Sequence, residues 1–168
     1  RSIQAYSQSY PDLNILHIDA HPDLYNNFEN NPYSHASPFA RIMEKGLVNR
    51  LVQVGIRTLN DHQKEQVKEF GVEVIEMKDF DPTVSFQFGG PVYISIDMDA
   101  LDPAFAPGVS HHEPGGLSTR EVINIIHQLN GNVVGGDIVE YNPDKDINNM
   151  TAVVAAKLMK ELIGKILK

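Results

Sequence analysis

Two short clusters of carboxylate and imidazole side chains are the part of this sequence best suited to chemistry. Asp19, His21 and Asp23 fall within a stretch of five residues directly after an apolar run. Asp97 and Asp99 follow a second apolar run. Carboxylate oxygens and imidazole nitrogens bind divalent cations, and a histidine among them favours a transition metal over Ca²⁺. The two clusters therefore predict a metal site that assists hydrolysis.

The alternative is that Asp19 and Asp23 only cap turns. A single Asp-x-His pattern would favour that alternative, but two clusters at the ends of predicted strands favour a metal site. Several carboxylates that meet in one crevice repel each other strongly at low dielectric unless cations are bound among them. Side chains two positions apart on an extended strand share a face, so Asp97 and Asp99 are expected to point the same way, as are Asp19, His21 and Asp23.

Strand and helix patterns alternate along the chain, which predicts βαβ units and a mostly parallel sheet. The predicted strands are 14–18, 51–55, 72–77, 92–98 and 132–139. The predicted helices are 36–45, 62–70, 118–129 and 151–167. In open sheets of this class the binding crevice lies outside the carboxyl ends of the strands, so the two acidic clusters are expected to meet there.

The length and composition of the chain limit its domain number, its binding partners and its cellular compartment. The 168 residues suffice for a single α/β domain, 1–168, with its own core. A formal net charge of -8 without a Lys/Arg stripe argues against nucleic-acid binding. The chain has no cysteine, which excludes disulfides and thiolate ligands and fits a reducing cytosol. No segment is typical of a signal peptide or a membrane span, so we expect a cytoplasmic protein, or an organellar one if a transit peptide precedes it.

Three sequence blocks carry a resemblance to a known family. The run 19–23 is similar to the Asp-Ala-His-x-Asp signature of the ureohydrolases, the arginase/agmatinase family. The run 95–103, with Ala-Pro-Gly at 106–108 and Gly-Gly at 115–116, resembles the second long signature of that family, and 137–143 resembles a third block. The chain is identified as a member of this family because the resemblance covers nearly its whole length.

The resemblance implies a three-layer α/β/α sandwich and a pair of Mn²⁺ ions. Asp19 and Asp97 would bridge the two ions, and His21 and Asp99 would complete one site. Asp23 would serve the other site, which in the family also takes a histidine from an upstream Gly-Gly-Asp-His block. That block does not occur in this sequence.

An N-terminally truncated domain is the expectation that follows. The chain starts without methionine and lacks the upstream block, so we expect the C-terminal portion of a longer domain, with one metal site short of its histidine. We expect little activity from this chain alone, and an unpaired sheet edge that invites association. Family members form trimers or hexamers, so the resemblance implies a homo-oligomer.

The family chemistry has a direct physical logic. A guanidinium carbon is a poor electrophile, and a water that bridges two Mn²⁺ ions loses a proton more readily than bulk water. By resemblance, Asp23 would carry that proton to the leaving amine, His35 would act as a catalytic proton shuttle, and Glu140 would bind the guanidinium group. From the residues alone, His35 is a surface-loop histidine and Glu140 a strand-end glutamate in solvent.

Four other polar residues are expected to lie near the site without binding metal. His17, inside the first predicted strand, is expected to be packed or to support a ligand. Asp102 is expected to orient a neighbour or to cap the next turn. His111 and His112 lie in the loop over the crevice, where they would line the substrate entrance or be exposed, and neither is expected to bind metal.

The resemblance implies a small guanidino substrate, with hydrolysis of arginine to ornithine and urea favoured by the similarity of 33–37 and 109–111 to plant-type arginases. Hydrolysis of agmatine to putrescine and urea is a close alternative, because the loop 24–32 departs from the pattern by which other arginases bind the amino-acid head. Formimidoylglutamase activity is a more distant alternative. A different class also remains open: an inactive metal-binding or scaffold fragment of the same fold.

Overall fold

Five parallel strands form one sheet in the computed structural model, which describes residues 1–168. The strands are β1 (Asn14–Ile18), β2 (Arg50–Ile56), β3 (Glu73–Glu76), β4 (Gln87–Asp97) and β5 (Asn130–Val139). The helices are α1 (Ser2–Ser9), α2 (Pro38–Glu44), α3 (Asp61–Phe70), α4 (Thr119–Gln128) and α5 (Met150–Ile166). The spatial order is β3-β2-β1-β4-β5, with every neighbouring pair parallel. None of the helices combines the length and the apolar character that crossing a bilayer requires.

The two faces of the sheet pack against different helices because side chains alternate along each strand. Leu16 of β1 and Ile94 of β4 belong to a core cluster that includes buried residues of α4 and α5. Their neighbours in sequence, Ile15 and Tyr93, belong to a second cluster with residues of α1, α2 and α3. All four side chains are at most 2% exposed. The predicted three-layer α/β/α sandwich is therefore confirmed, and its sheet is wholly parallel.

Helix ends follow the local sequence signals. Asn60 precedes α3, and its side chain accepts a hydrogen bond from the backbone N–H of Gln63 (2.9 Å). Gly71 ends the same helix with φ of 63°, a conformation that glycine adopts without steric penalty. Ser118 and Glu121 form the reciprocal capping box that starts α4. These bonds satisfy backbone groups that the helices cannot satisfy internally.

The structure corrects one expectation about the strand ends. Strand β4 was predicted to extend through residue 98, but it ends at Asp97, and Met98–Ala100 forms a 3₁₀ turn. Asp97 Oδ1 accepts the backbone N–H of Asp99 (2.9 Å), which stabilises the turn. Likewise β1 ends at Ile18, and Asp19 Oδ1 accepts the N–H of His21 (2.7 Å). Strand alternation would align Asp97 and Asp99 only if the strand stayed extended through both. Because it ends at Asp97, tight turns bring these side chains together instead.

The carboxyl edge of the sheet collects the segments that matter for function. Asp19 follows β1, Arg57 follows β2, Asp97 ends β4, and Glu140 follows β5. Gly55 lets the end of β2 lie close to the backbone of Asp19, because a Cβ at residue 55 would be 3.0 Å from the Asp19 carbonyl oxygen. Its φ of 97° also favours glycine. The parallel arrangement therefore brings four sequence-distant segments to one edge.

A substitution at Gly136 in β5 tests how closely the sheet packs against α5. A Cβ at Gly136 would lie 2.5 Å from the Ile94 carbonyl oxygen and 2.7 Å from Leu162 Cδ2. We expect Gly136→Ala to lower the free energy of unfolding by about 1–3 kcal/mol through overpacking. Gly164→Ala is the matched control, because nothing lies within 4 Å of a Cβ there, and it should raise stability by about 0.5–1 kcal/mol. Urea denaturation measures both values, and a stable Gly136→Ala variant would contradict the packing.

Candidate metal centre and active site

Three side chains at the carboxyl edge converge in an arrangement that could hold a metal ion. One potential ligand atom from each of Asp19, His21 and Asp99 lies within 4.8 Å of the others. His21 Nδ1 is 3.1 Å from Asp99 Oδ2 and 3.5 Å from Asp19 Oδ1. The backbone N–H of Ala20 donates to Asp99 Oδ1 (3.4 Å), which joins the two acidic segments. The carboxylates of Asp19 and Asp99 are buried, whereas the His21 side chain is 27% exposed and open to solvent.

His17 supports Asp19 from within the sheet. His17 Nε2 lies 2.8 Å from Asp19 Oδ2, and both side chains are 1% exposed. The Gln53 side-chain amide donates to the Pro22 carbonyl oxygen (2.7 Å) and lies 3.0 Å from His17 Nδ1. Because Gln53 donates, we assign His17 Nδ1 as the acceptor and Nε2 as the protonated nitrogen that faces Asp19. His17 is thus the packed, supporting histidine that its place in the sequence predicts.

Protonation equilibria in the cluster are strongly shifted. Burial would raise the pKa of Asp19, but the His17 imidazole 2.8 Å away and the backbone N–H of His21 lower it below its ordinary range. Burial would lower the pKa of His21, but hydrogen bonds with Asp19 and Asp99 raise it to about 10. A proton on His21 therefore supplies part of the positive charge that the carboxylates require.

The remaining carboxylates shift in the opposite direction from Asp19. Burial, followed by repulsion from Asp19, raises the pKa of Asp23 and of Asp97 well above the ordinary value. Burial also raises the pKa of Asp99, although the hydrogen bond with His21 reduces that shift. Four carboxylates in one place disfavour their joint ionisation, and a bound divalent cation would relieve this repulsion.

The donor set fits a divalent metal ion. Its ligand atoms are carboxylate oxygens and an imidazole nitrogen, without sulfur, which is the chemistry of hard-to-borderline cations. Asp19 Oδ2 is buried and has no hydrogen bond of good geometry, although His17 Nε2 lies 2.8 Å away. Buried polar atoms normally have partners, so this oxygen has bonding capacity left for a cation.

The cluster opens into a cavity of about 590 Å³. The structure brings together all seven residues predicted for the site, since six line this cavity and Asp19 lies buried beside His21 and Asp99. The six that line it are His21, Asp23, His35, Asp97, Asp99 and Glu140. The cavity therefore joins the metal-binding candidates to the predicted proton-transfer and guanidinium-binding side chains.

Asp23 and Glu140 share an uncommon backbone conformation. Their φ angles are 53° and 60°, in the left-handed region that residues other than glycine rarely adopt. Such conformations carry strain and are concentrated at functional sites. Glu29, with φ of 51°, has the same conformation but lines no large cavity, so strain combined with cavity lining distinguishes Asp23 and Glu140.

A row of three imidazoles runs from the metal-binding cluster to the rim of the cavity. The ring centroid of His21 lies 6.3 Å from that of His111, and the centroid of His111 lies 5.6 Å from that of His35. The rings of His111 and His35 are nearly parallel, and Phe28 packs edge-on against His35. His111 thus lines the cavity and is exposed at its rim.

Sequence reasoning missed two charged residues that line the cavity, Arg57 and Glu113. Arg57 directly follows β2, so the rule that sites lie at the carboxyl ends of parallel strands could have identified it. Glu113 Oε1 lies 3.7 Å from His21 Nε2. No spacing pattern marks Glu113, because it reaches the cavity from an irregular loop.

Asp102 caps its turn as predicted. Its Oδ1 accepts the backbone N–H of Ala104 (2.9 Å), and its Oδ2 accepts that of Gly115 (2.7 Å). These hydrogen bonds lower the pKa of Asp102, which therefore stays ionised. Asp102 closes the long loop on itself and does not join the metal-binding cluster.

The chain is similar to several proteins of known name. The family model described as Arginase family matches residues 1–164. Arginase 1, mitochondrial, from Oryza sativa subsp. indica is 58% identical over 164 residues, 93% of this chain and 48% of the rice protein. Agmatinase from Bacillus cereus is 36% identical over 166 residues, 95% of this chain and 57% of that protein. The structure of arginase from Medicago truncatula superposes with a TM-score of 0.94 at 54% identity, covering 98% of this chain and 55% of that one.

The chain spans about half the length of the plant proteins that it matches. Within that span the similarity is nearly continuous, because each of these relatives covers 93% or more of this chain. The carboxyl edge described above thus belongs to the matched part of the chain.

Metal binding and pH are expected to be coupled through His21. Its folded-state pKa of about 10 exceeds the ordinary 6.5, so its protonation stabilises the metal-free fold fully below about pH 6.5, and that stabilisation is lost as the pH rises to about 10. A metal ligand must be unprotonated, so Mn²⁺ must displace this proton, and its apparent affinity should rise with pH across the same window.

Isothermal titration calorimetry with Mn²⁺, in buffers of different ionisation enthalpy, measures both the affinity and the protons released. His21→Gln should flatten the pH dependence. His127→Gln is the control, since His127 pairs with Glu161 (2.7 Å) on the surface and should leave the pH dependence unchanged. A Mn²⁺ affinity that does not vary with pH would contradict the coupling.

Proposed function

The chain belongs to the arginase family, and on that premise we propose that its site performs manganese-dependent hydrolysis of a guanidino compound to urea and an amine. The observation that supports this most is the convergence of Asp19, His21 and Asp99 at a cavity that Asp23 and Glu140 also line. A cavity of about 590 Å³ has the size of a small-molecule site.

The carboxylates and His21 are the proposed metal ligands. Asp19, His21, Asp97 and Asp99 would hold one Mn²⁺ ion. Asp23, with Asp19 and Asp97, would contribute to a second ion. When bound, the ions make hydroxide available at neutral pH and offset charge that develops during the reaction. The mixed set of carboxylate and imidazole donors supports Mn²⁺ over Ca²⁺.

Glu140 is the proposed partner of the guanidinium group. Its carboxylate lines the cavity at the end of β5, where it can accept two parallel N–H bonds from a planar guanidinium. The left-handed backbone of Glu140 is consistent with a position that function requires. This pairing would present the guanidinium carbon to the carboxylate-rich side of the cavity.

Asp23 and His35 are the proposed proton carriers. Burial and the repulsion of Asp19 raise the pKa of Asp23, so this carboxyl can hold a proton and pass it to the leaving amine. His35 is exposed at the cavity rim, and an imidazole transfers protons readily near neutral pH. We assign His35 the exchange of protons between the cavity and solvent.

Arginine is the proposed substrate, with ornithine and urea as products. The higher identity to plant arginases than to bacterial agmatinase supports arginine over agmatine. The loop 24–32 contributes Tyr25 and Phe28 to the cavity, and these side chains are candidates for contact with the end of the substrate that distinguishes the two compounds. Agmatine hydrolysis is the first alternative, and formimidoylglutamase activity is more distant.

A metal-binding protein without turnover is the second candidate function. The structure has one group of three ligand residues within 4.8 Å, which accounts directly for one ion. Metal content separates the two candidates when it is measured on a protein that also carries the upstream Gly-Gly-Asp-His block. Two Mn²⁺ ions per chain there support a hydrolase, whereas one ion and no urea release support the inactive protein.

We also propose that the protein forms a homo-oligomer in a reducing compartment. Val153, Ile163 and Leu167 on or next to α5 are exposed apolar side chains, which supports a homo-oligomer, a trimer or a hexamer. The absence of cysteine suits a reducing compartment, either the cytosol or the mitochondria in which the name of the rice relative places that protein.

The substrate is tested by urea release from L-arginine and from agmatine after loading with Mn²⁺. The assay uses the 168-residue chain and a form extended at its N-terminus by a segment with the upstream Gly-Gly-Asp-His block. We expect kcat/KM for arginine to exceed that for agmatine by about tenfold or more, since polar recognition of the amino-acid head discriminates strongly. The reverse preference would favour the agmatinase alternative. No urea from either compound with the extended protein would contradict the hydrolase, whereas turnover by the 168-residue chain equal to that of the extended protein would contradict the low activity expected of this chain.

Glu140→Gln tests guanidinium recognition. We expect kcat/KM for arginine to fall about 10- to 100-fold, because hydrogen bonds to charged groups contribute about 1.5–3 kcal/mol. Glu29→Gln is the matched control, since Glu29 shares the left-handed backbone and lines no large cavity. Equal kinetics in the two variants would rule out this role for Glu140.

A further inference from the structure

Arg57 makes an unusual set of contacts beside the metal-binding cluster. Its half-buried guanidinium donates only to backbone carbonyl oxygens, and no carboxylate accepts from it. Nη2 donates to the backbone carbonyl oxygens of Asp99 (2.7 Å) and Glu113 (2.6 Å). Nε donates to the same carbonyl oxygen of Glu113 (2.9 Å). Nη1 reaches the oxygens of Gly55 (3.0 Å) and Ala100 (3.2 Å). One side chain therefore joins β2, the 3₁₀ turn and the loop over the cavity.

The carboxylates near Arg57 make this pattern informative. Asp99, Glu113, Asp19 and Asp102 all attract its positive charge, and a guanidinium normally pairs with such a carboxylate. Here the N–H groups are directed at main-chain oxygens, so the carboxylates of Asp99 and Glu113 stay free for other partners. Arg57 thus contributes positive charge to the cavity wall without occupying a candidate ligand.

The loop over the cavity packs closely against Arg57 at Gly116. A Cβ at Gly116 would lie 2.6 Å from Arg57 Nη2 and 2.7 Å from the Ala100 carbonyl oxygen. Glycine at this position is what lets the loop over the cavity close onto the guanidinium. The loop and the turn that carries Asp99 are therefore held against the same rigid group.

Glu113 connects this contact set to His21. Its Oε1 lies 3.7 Å from His21 Nε2, while His21 Nδ1 faces Asp99 and Asp19 on the other side of the ring. The separation of Oε1 and Nε2 is longer than a hydrogen bond but within ion-pair distance. A carboxylate that accepts from the second nitrogen of a metal-binding histidine orients the ring, and a small movement of Glu113 would form that bond. The geometry gives Glu113 that place relative to His21.

We propose that Arg57 is a positioning residue of the metal site, which fixes the backbone of Asp99 and Glu113 and, through the Glu113 carboxylate, the orientation of His21. This inference rests on the proposed function, because it assumes that Asp19, His21 and Asp99 bind a metal ion. A purely structural role would instead make Arg57 a stabiliser of the loop, without effect on metal affinity beyond its effect on folding.

Arg57→Lys separates the two roles. Lysine keeps the positive charge but cannot reach these carbonyl oxygens at once, since its three N–H donors lie on a single nitrogen. We expect Mn²⁺ to bind about 10- to 100-fold more weakly to the variant, as when outer partners of metal ligands are lost. Calorimetric titration with Mn²⁺ gives the dissociation constant, and thermal unfolding of the metal-free protein gives its stability.

Arg50→Lys is the matched control. Arg50 lies at the opposite end of β2, where it pairs with Glu73 and donates to the Gln87 carbonyl oxygen (2.7 Å). Its variant should bind Mn²⁺ within about twofold of the unmodified protein, because it is remote from the ligands. Equal Mn²⁺ affinities of Arg57→Lys and Arg50→Lys would overturn the proposal, whatever their melting temperatures.

Glu113→Ala tests the second link independently. Arg57 contacts the backbone oxygen of residue 113, so this variant keeps the contact and remains informative if Arg57→Lys does not fold. We expect about tenfold weaker Mn²⁺ binding, and in the double variant a loss smaller than the product of the two single losses, since both act through His21. Unchanged affinity in Glu113→Ala, or losses that multiply, would overturn the link through Glu113.

The unmodified protein distinguishes failure of this inference from failure of the proposed function. No Mn²⁺ binding by the unmodified protein would overturn the metal site and the role of Arg57 with it. Mn²⁺ binding that is insensitive to Arg57→Lys and Glu113→Ala would leave the metal site standing and overturn only the positioning role.

Discussion

Mutual repulsion among carboxylates at the carboxyl edge of the sheet is the constraint on which the rest of this structure depends. Asp19, Asp23, Asp97 and Asp99 are drawn into one region, and burial makes their joint ionisation costly. The chain offsets this with His17 behind Asp19, His21 between the carboxylates, and backbone N–H groups donated by tight turns. A divalent cation would complete the compensation that these groups begin.

The fold creates this concentration of charge through the order of its strands. Central β1 pairs with β2 on one side and β4 on the other, all in parallel, so their carboxyl ends share an edge. The two core clusters on opposite faces keep the sheet rigid beneath the site. A site on rigid strand ends retains its geometry even when its charges oppose one another.

The order of strands and helices could be predicted almost completely from the sequence, whereas the candidate site could be predicted only in part. Alternating strand and helix patterns, the capping box at Ser118 and the glycine after α3 located nearly every element, because these signals are local. The turn at Asp97 was not predictable, since Ile96 to Met98 reads as continuous strand and only the side-chain bond to the Asp99 N–H ends it. The clustered aspartates predicted the candidate metal-binding group. Glu113 could not be predicted, because it reaches this group from a loop whose path depends on tertiary contacts.

The contacts of Arg57 have a consequence for how this protein can vary. Every acceptor of its guanidinium is a main-chain oxygen, and such an oxygen is present whichever side chain a position carries. Substitution at the partner positions leaves the acceptors in place, so no compensating change is forced when Arg57 is kept. Pairwise covariation among homologous sequences would therefore carry no trace of these contacts, and Arg57 would show itself only as a position that tolerates no replacement.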